Sequence, residues 1–281
     1  MVAILQEDNL GEIMVSIIIP CLNHFDYTVK CLNSLYEGMR LDDKEIIVIN
    51  DGSTDETNTE LLKYLDGQYI VVKNWPTNTG FASAVNKGIK LSSGDYICIC
   101  NNDFIFSRGC IDILHNVIEN SDYWMVTGYL VGDETVSPDK FLDWADVQNE
   151  GEAQLLKWHK MGPWLFKREV FNIIGLFDES FRYGQYEDTD MLMRMSLHKM
   201  LWGASTKGYA FHYGSITQHG ELQNRVGKGY AYENKLKFEG KWGTSHITPA
   251  LLEYISTFEP NLDMNVVKER IIKFRREKGD I

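Results

Sequence analysis

Long apolar runs are missing from this sequence. No segment reaches the roughly 18 consecutive apolar residues that a membrane-spanning helix needs. The first residues, MVAILQEDNLGEI, have neither the basic start nor the extended apolar core of a signal peptide. The sequence therefore predicts a cytoplasmic protein without a membrane span.

Cysteine is scarce, with five residues in a chain of 281. No pair of cysteines has zinc-finger spacing. Cys98 and Cys100 are two residues apart on one face of a predicted strand, too close for an ordinary disulfide. An odd number of cysteines without a disulfide framework predicts reduced, mostly buried thiols, as in a cytoplasmic protein.

Basic residues are outnumbered, since 28 Lys and Arg face 40 Asp and Glu, for a net charge of -12. This charge argues against broad electrostatic binding to nucleic acid. It suits a protein that holds a cation, although most acidic proteins use such charge only for solubility. The length fits one large domain or two small ones.

Short apolar runs alternate with segments of helical periodicity in the first hundred residues. The runs at residues 15–19, 45–49, 69–72 and 96–100 are typical of strands buried on both faces. Helices are predicted after the first three runs, and Pro20 is expected to end the first strand. The second helix should start at Ser53, which forms a capping box with Glu56, and should bury Leu61, Leu62 and Leu65. This alternation predicts an α/β fold with a mainly parallel central sheet flanked by helices.

The second half of the chain is less regular. Residues 104–120, residues 187–200 and the C-terminal segment show helical periodicity, and residues 209–215 read as a strand or loop that carries His212.

Polar residues follow three of the predicted strands directly, namely Asn23, Asp51 and residues 101–103. The carboxyl ends of parallel strands meet at one edge of a sheet, so these side chains should converge on one crevice. Asp103 then becomes a candidate ligand of a divalent cation bound to phosphates, because such cations prefer carboxylate oxygens. Asp51 is a candidate acceptor for a nucleotide base or ribose. Ordinary turn chemistry is the alternative for each of these residues.

Three acids, Glu187, Asp188 and Asp190, lie in the first turn of a predicted helix. One explanation is stabilisation of the helix dipole. The other is a general base at the mouth of a site. The three residues cannot all face one point, because successive helical residues are about 100° apart. By itself, His212 reads as an ordinary polar histidine.

Six motifs in order resemble the family 2 inverting glycosyltransferases of the GT-A fold. They are VSIIIPCLNH, EIIVINDGSTDET, NTGFASAVNKGI, GDYICICNND, IGLFDESFRYGQYEDTDMLMR and FHYGS. The resemblance covers about residues 14–215 and is closest to the branch of rhamnosyl- and galactofuranosyltransferases. It implies a GT-A (Rossmann-like) sheet and transfer of a sugar from a nucleoside-diphosphate sugar, favouring UDP- or dTDP-sugars, to an acceptor hydroxyl.

The resemblance also implies roles for individual residues. Asp103 occupies the place of the last aspartate of the DXD motif and would hold Mn²⁺ or Mg²⁺ together with His212. Asn101 replaces the first acid of that motif. Asp188 matches the catalytic base, and Glu187 is assigned to the same site. The residues assigned to the nucleotide sugar are Pro20, Asn23, Asp51, Asn78, Asn86, Asn101 and Asn102.

A domain layout follows from the same resemblance. Residues 1–220 are expected to form the GT-A domain, with a nucleotide-binding half at about 14–103 and an acceptor half at about 104–220. Residues 221–281 are expected to be a helical C-terminal extension. The acceptor would be a glycan or a lipid-linked saccharide in surface glycan synthesis, and homo-oligomerisation stays open.

Two other functions are alternatives. A sugar-1-phosphate nucleotidyltransferase would have a Gly-rich basic phosphate loop near its N-terminus, and residues 20–23 have neither property. A catalytically inactive nucleotide-sugar-binding protein is compatible with the single carboxylate of the NND stretch.

The last predicted helix is basic on one side and apolar on another. Its basic residues are Lys268, Arg270, Lys273, Arg275, Arg276 and Lys278. A solvated helix explains this composition, and weak peripheral contact with anionic lipid at the inner face of the membrane is the alternative.

Overall fold

The computed structural model describes residues 14–64, 70–156, 161–214 and 229–280. The strands in these residues are β1 (Val15–Cys21), β2 (Lys44–Asp51), β3 (Ile70–Trp75), β4 (Tyr96–Ile99), β5 (Phe104–Phe106), β6 (Met125–Val131), β7 (Leu155–Leu156), β8 (Met161–Lys167) and β9 (Trp202–His212). The helices are α1 (Phe25–Gly38), α2 (Thr57–Glu60), α3 (Phe81–Leu91), α4 (Cys110–Glu119), α5 (Phe141–Gln148), α6 (Glu169–Ile174), α7 (Glu187–Leu197), α8 (Gly229–Trp242), α9 (Pro249–Ile255) and α10 (Met264–Lys278). Short 3-10 turns lie at Leu61–Tyr64 and Pro138–Lys140.

All the described strands belong to one sheet of order β3-β2-β1-β4-β8-β6-β9-β5, with β7 paired to β9. The prediction of parallel strands is confirmed for β3, β2, β1 and β4. Beyond β4 the sheet is mixed, because β8 lies between β4 and β6 and runs antiparallel to both. The second half of the sheet thus adds antiparallel pairs to the parallel strands that the sequence predicts. Apolar periodicity indicates burial and carries no information about strand direction.

The first strand shows why the apolar runs form the centre of the sheet. All seven residues of β1 are buried. Successive side chains of a strand point to opposite faces. Ile17 and Ile19 accordingly join the core cluster that includes α1 and α4, while Ile18 joins the cluster that includes α3 and α7. Helices thus cover both faces, as predicted. β1 continues through Pro20 to Cys21, so the predicted end at Ile19 was two residues too early.

Three local predictions were wrong in whole or in part. The second helix begins at Thr57, not at Ser53, and Ser53 makes no capping bond to it. Of the three leucines expected in the core, Leu61 is buried, Leu62 is 48% exposed and Leu65 lies outside the described residues. The helix predicted for residues 104–120 is the short strand β5 followed by α4. β5 forms because Phe104, Ile105 and Phe106 pair with β9, which is far away in sequence.

The C-terminal helices pack against α7. Their shared core includes Met193 and Leu197 of α7, Phe238 and Trp242 of α8, and Ile271 of α10. The apolar residues of α10 are thus used inside the protein, and Phe274 stacks on Tyr254 with ring centroids 4.4 Å apart. No helix within the described parts of the chain is long and apolar enough to span a membrane. All five cysteines are buried free thiols, as predicted.

Candidate active site

The loops after β1 and β2 interlock at the carboxyl edge of the sheet. They meet because Cys21 at the end of β1 is paired with Asn50 near the end of β2. The Asn23 carbonyl oxygen Oδ1 accepts hydrogen bonds from the backbone amides of Thr54 (2.6 Å) and Asp55 (3.3 Å). The backbone amide of Asn23 in turn donates to Ser53 Oγ at 2.7 Å. Asn23 therefore joins the loop after β1 to the loop after β2.

Asp51 orders a third loop, which follows β3. Its Oδ2 accepts the backbone amides of Thr79 (2.7 Å) and Gly80 (2.8 Å), and its Oδ1 accepts the Thr79 hydroxyl at 2.6 Å. Lys87 forms an ion pair with the same carboxylate at 3.2 Å. Asn78 adds a hydrogen bond from the Gly80 amide to its Oδ1 at 2.9 Å. Asp51 and Asn78 thus shape one loop together. No pattern in the sequence indicates that Thr79 and Lys87 take part in it.

Asn86 connects α3 to the turn before α7. Its Nδ2 donates to the carbonyl oxygen of Phe177 at 2.9 Å, and its Oδ1 accepts the amide of the same residue at 3.0 Å. The side chain is 2% exposed. Asn86 acts on the site through the backbone of that turn, because both ends of its amide are used there.

The three polar residues after β4 point in different directions. Asn102 donates to the Thr28 hydroxyl at 2.9 Å, which ties the strand end to α1. Asp103 Oδ2 lies 3.2 Å from His212 Nε2. The two come together because Phe104 and His212 are cross-strand partners of β5 and β9. The residues that the resemblance assigns to a metal are therefore direct neighbours, although 109 positions separate them in the sequence.

This pair is chemically suited to Mn²⁺ or Mg²⁺. Within the described ranges, no three His, Cys, Asp or Glu side chains form a ready-made metal site. A cation that bridges a diphosphate needs only one or two protein ligands, since phosphate oxygens and water supply the rest. One carboxylate and one imidazole meet that requirement. The metal site would thus be completed by the substrate.

A cavity of about 290 Å³ connects the end of β4 to the start of α7. Its polar lining comprises Asn101, Gln185, Glu187 and Asp188. Its apolar lining comprises Phe81, Ile99, Cys100, Phe104, Gly162, Trp164 and Phe177. A larger hollow of about 720 Å³ lies beside α4 and involves no predicted site residue among its described walls. The smaller cavity is the candidate site, because it joins residues from both halves of the chain.

The acids of α7 face different environments. Glu187 is 5% exposed, and its Oε2 meets no hydrogen-bond partner in the described part of the chain. Burial, together with the charge of Asp188, raises the pKa of Glu187 to about 8. Asp190 is fully buried outside the cavity, where Trp242 Nε1 donates to its Oδ1 at 2.8 Å and Arg194 donates to its Oδ2 at 2.8 Å. Only Glu187 and Asp188 therefore line the cavity.

Asp188 differs from Glu187 in its hydrogen bonds. Its Oδ1 accepts the Thr189 backbone amide at 2.6 Å and the Thr189 hydroxyl at 3.1 Å. Burial raises the pKa of Asp188, whereas these bonds favour its ionised form. Two adjacent acids whose environments separate their pKa values can hold one proton between them. The raised pKa keeps Glu187 protonated at neutral pH, whereas the hydrogen bonds from Thr189 favour the ionised form of Asp188.

Comparison with known proteins places the chain in a family. Residues 16–173, more than half of the chain, match the profile of Glycosyl transferase family 2. An uncharacterized glycosyltransferase of Rickettsia prowazekii (strain Madrid E) is 31% identical over 186 residues, which are 63% of this chain and 57% of that protein. The chain thus spans little more than half of that relative.

Solved structures agree on the fold. The TarS 1–349 structure of S. aureus in complex with UDP has a TM-score of 0.61 at 17% identity, covering 92% of this chain and 69% of that one. A mannosyltransferase from Pyrobaculum calidifontis in complex with GDP-Man and Mn²⁺ has a TM-score of 0.61 at 14% identity, covering 96% of this chain and 76% of that one. The chain therefore has the mixed α/β GT-A fold and belongs to glycosyl transferase family 2.

Proposed function

We propose that this protein is a metal-dependent, inverting glycosyltransferase of the rhamnosyl- and galactofuranosyltransferase-like branch. It moves a hexose or deoxyhexose from a UDP- or dTDP-sugar to a hydroxyl of a surface glycan or lipid-linked saccharide. The observation that carries the proposal is the cavity that has Asn101 in one wall and Glu187 and Asp188 in another. A nucleotide-sugar donor bound at the end of β4 and a general base at the start of α7 would both lie at this cavity.

In this proposal the nucleotide occupies the interlocked loops at the carboxyl edge of the sheet. Asn23, Asp51 and Asn78 shape these loops, and Asn86 fixes the turn before α7 from α3. The diphosphate lies beside Asp103 and His212, which would hold Mn²⁺ or Mg²⁺ with it. The cation would neutralise negative charge on the diphosphate. Residues 14–103 would thus form the nucleotide half, residues 104–220 the acceptor half and residues 221–281 the helical extension.

The chemistry is a direct displacement at the anomeric carbon. Asp188 accepts the proton of the acceptor hydroxyl as that oxygen forms its bond to the anomeric carbon. The bond from this carbon to the diphosphate oxygen breaks on the opposite face, and the nucleoside diphosphate leaves with the electron pair. Configuration at the anomeric carbon inverts in this single step. The proton on Asp188 then passes to solvent.

Glu187 and the aromatic side chains that line this cavity are suited to bind a sugar. A protonated carboxyl can donate a hydrogen bond to a sugar oxygen, and the pKa of about 8 keeps Glu187 protonated at neutral pH. The rings of Trp164 and Phe177 are stacked with centroids 6.3 Å apart and form an apolar wall. Ring hydroxyls and apolar sugar faces can therefore be bound together in one pocket.

The location of the protein belongs to the same proposal. We place it in the cytoplasm, at the inner face of the membrane when the acceptor is lipid-linked. The apolar residues Val267 and Ile271 of α10 are fully buried in the core. Any contact of α10 with anionic lipid would therefore be electrostatic, through its exposed Lys and Arg side chains, and would weaken at high salt.

Removal of the Asp103 carboxylate tests the metal assignment. We expect Asp103→Ala to abolish the increase in UDP or dTDP affinity that Mn²⁺ produces, because one of two protein ligands is lost. Isothermal titration with and without Mn²⁺ measures this effect. Asp112→Ala, an acid on α4 away from the cavity, is the matched control. Unchanged Mn²⁺ dependence in Asp103→Ala would show that the cation binds elsewhere.

A donor panel tests the activity itself. Purified protein is screened by thermal shift and by hydrolysis against UDP-, dTDP- and GDP-sugars, with and without Mn²⁺. We expect at least one UDP- or dTDP-sugar to raise the melting temperature and to be hydrolysed slowly in a Mn²⁺-dependent manner. Binding of a nucleotide sugar without turnover over a broad panel of acceptors would instead indicate an inactive binding protein.

A further inference from the structure

The segment before α7 has an unusual backbone. Residues 183–186 all have positive φ, with values of 66° for Tyr183, 131° for Gly184, 74° for Gln185 and 74° for Tyr186. Residues other than glycine rarely adopt positive φ, so three of the four residues are in an unfavourable backbone conformation. This strained segment leads directly into Glu187 and Asp188. Its conformation consequently decides where these two acids stand.

One side chain from the C-terminal region holds this segment. Asn234 of α8 is 1% exposed. Its Nδ2 donates to the carbonyl oxygens of Arg182 (2.9 Å), Gly184 (2.9 Å) and Gln185 (3.2 Å). Three carbonyl groups that converge on one amide nitrogen fix the turn of the backbone around it. Buried carbonyl groups need such partners, since burial without a hydrogen bond is unfavourable.

We propose that Asn234 is a positioning residue, which sets the location of Glu187 and Asp188 in the cavity by fixing the backbone of residues 182–185. This inference rests on the proposed function, because it assumes that the two acids act on the substrate. It assigns α8 a part in catalysis that its position outside the GT-A motifs does not suggest. The C-terminal helices then form part of the catalytic unit.

The loop is also confined on its other side. A Cβ atom placed on Gly80 would lie 2.7 Å from the backbone nitrogen of Tyr183, so the loop ordered by Asp51 rests against this segment. Tyr230 of α8 contacts both Tyr183 and Leu22, the latter in the loop after β1. The segment is therefore held between the nucleotide loops and α8. A change in the conformation of this segment would shift the positions of Glu187 and Asp188 relative to the nucleotide.

Other contacts keep α8 in place independently of Asn234. Lys241 forms ion pairs with Asp190 (2.7 Å) and Asp178 (2.9 Å), and Trp242 donates to Asp190. Phe238 and Trp242 are fully buried in the core shared with α7. Loss of the Asn234 side chain should thus loosen residues 183–186 while α8 stays docked.

Two variants test the proposal in the full chain. Asn234→Ala removes the donor, and Asn234→Asp keeps the shape but places a carboxylate opposite three carbonyl oxygens. Lys237→Ala is the matched control, because Lys237 lies one turn along α8 and donates to the carbonyl oxygen of Ser180, outside the strained segment. Hydrogen exchange by mass spectrometry and steady-state hydrolysis of a UDP- or dTDP-sugar are measured for each protein.

We expect amides of residues 183–189 to exchange at least about tenfold faster in Asn234→Ala and Asn234→Asp, with residues 81–91 of α3 unchanged. We expect kcat to fall about 10²-fold, as for a misplacement near 1 Å, while the donor KM stays within about twofold. Lys237→Ala should match the wild type in both assays.

Three results would overturn the proposal. They are exchange equal to that of Lys237→Ala, faster exchange throughout α3 as well, or a KM that rises with kcat unchanged. If the wild type hydrolyses no nucleotide sugar, the proposed function fails, and the exchange measurement still decides whether Asn234 holds the segment.

Discussion

Asp188→Asn is expected to lower the rate of sugar transfer by about 10²-fold or more, the usual contribution of a positioned general base. Asparagine has nearly the same shape but cannot accept the acceptor proton. Because Asp188 lies at the start of α7 and the nucleotide loops lie at the edge of the sheet, the affinity for nucleotide sugar should not change. Initial rates with a responsive donor, together with nucleotide titration and thermal melting of the same preparation, measure the three quantities.

Glu187→Gln is the comparison for this variant. It should lose less activity, because glutamine can still donate a hydrogen bond where the protonated Glu187 does. Asp188→Asn should therefore be the slower enzyme of the two. If Asp188→Asn retains a near-normal kcat and Glu187→Gln is inactive, Glu187 is the base.

The second large effect is on the pH dependence of stability. The pKa of Glu187 is raised from 4.5 to about 8 in the folded protein, so the folded state holds this proton at pH values where the unfolded chain has lost it. The free energy of unfolding should therefore fall as pH rises from about 4.5 to about 8, by up to ~5 kcal/mol at 1.36 kcal/mol per pKa unit. Glu187→Gln removes this titration and should be the more stable protein at pH 8.5.

Urea unfolding at pH 5 and at pH 8.5 measures the difference. The control is Glu169→Gln, which removes an exposed acid from the first turn of α6. The wild type should lose stability relative to Glu187→Gln between the two pH values, and Glu169→Gln should follow the wild type. Parallel behaviour of all three proteins would mean that Glu187 is not buried as a protonated acid.

Much of the fold over residues 14–103 was predictable from the sequence, and the reason is physical. Strands buried on both faces must be apolar throughout, so residues 15–19 and 45–49 stand out against their polar surroundings. Parallel strands also end at one edge, which predicts that Asn23, Asp51 and Asp103 lie at the same side of the sheet. The structure agrees with each of these points.

Contacts between distant segments could not be predicted. Ser53 has the spacing of a helix cap with Glu56, but it instead accepts the amide of Asn23 from the neighbouring loop. Residues 104–106 adjoin a stretch of helical periodicity, but they form a strand because β9 offers a partner about a hundred residues later. Local patterns indicate what a segment can form, and tertiary pairing selects among these forms.

The region around α7 shows the same limit more strongly. The positive φ values of residues 183–186 and their hydrogen bonds to Asn234 have no counterpart in the sequence pattern. Asp190 shares the acidic helix start with Glu187 and Asp188, yet it binds Trp242 and Lys241 of α8. Which acids face the cavity thus depends on how α7 packs against the C-terminal helices.

The central claim is that a nucleotide sugar is activated in the cavity between β4 and α7. The measurement that tests it most directly is the rate of nucleoside diphosphate release from UDP- and dTDP-sugars by the wild type, Asp103→Ala and Asp188→Asn, with and without Mn²⁺. We expect the wild type to release nucleoside diphosphate only with Mn²⁺, and both variants to release it much more slowly. Nucleotide-sugar binding without release by the wild type, or equal release by all three proteins, would contradict this claim.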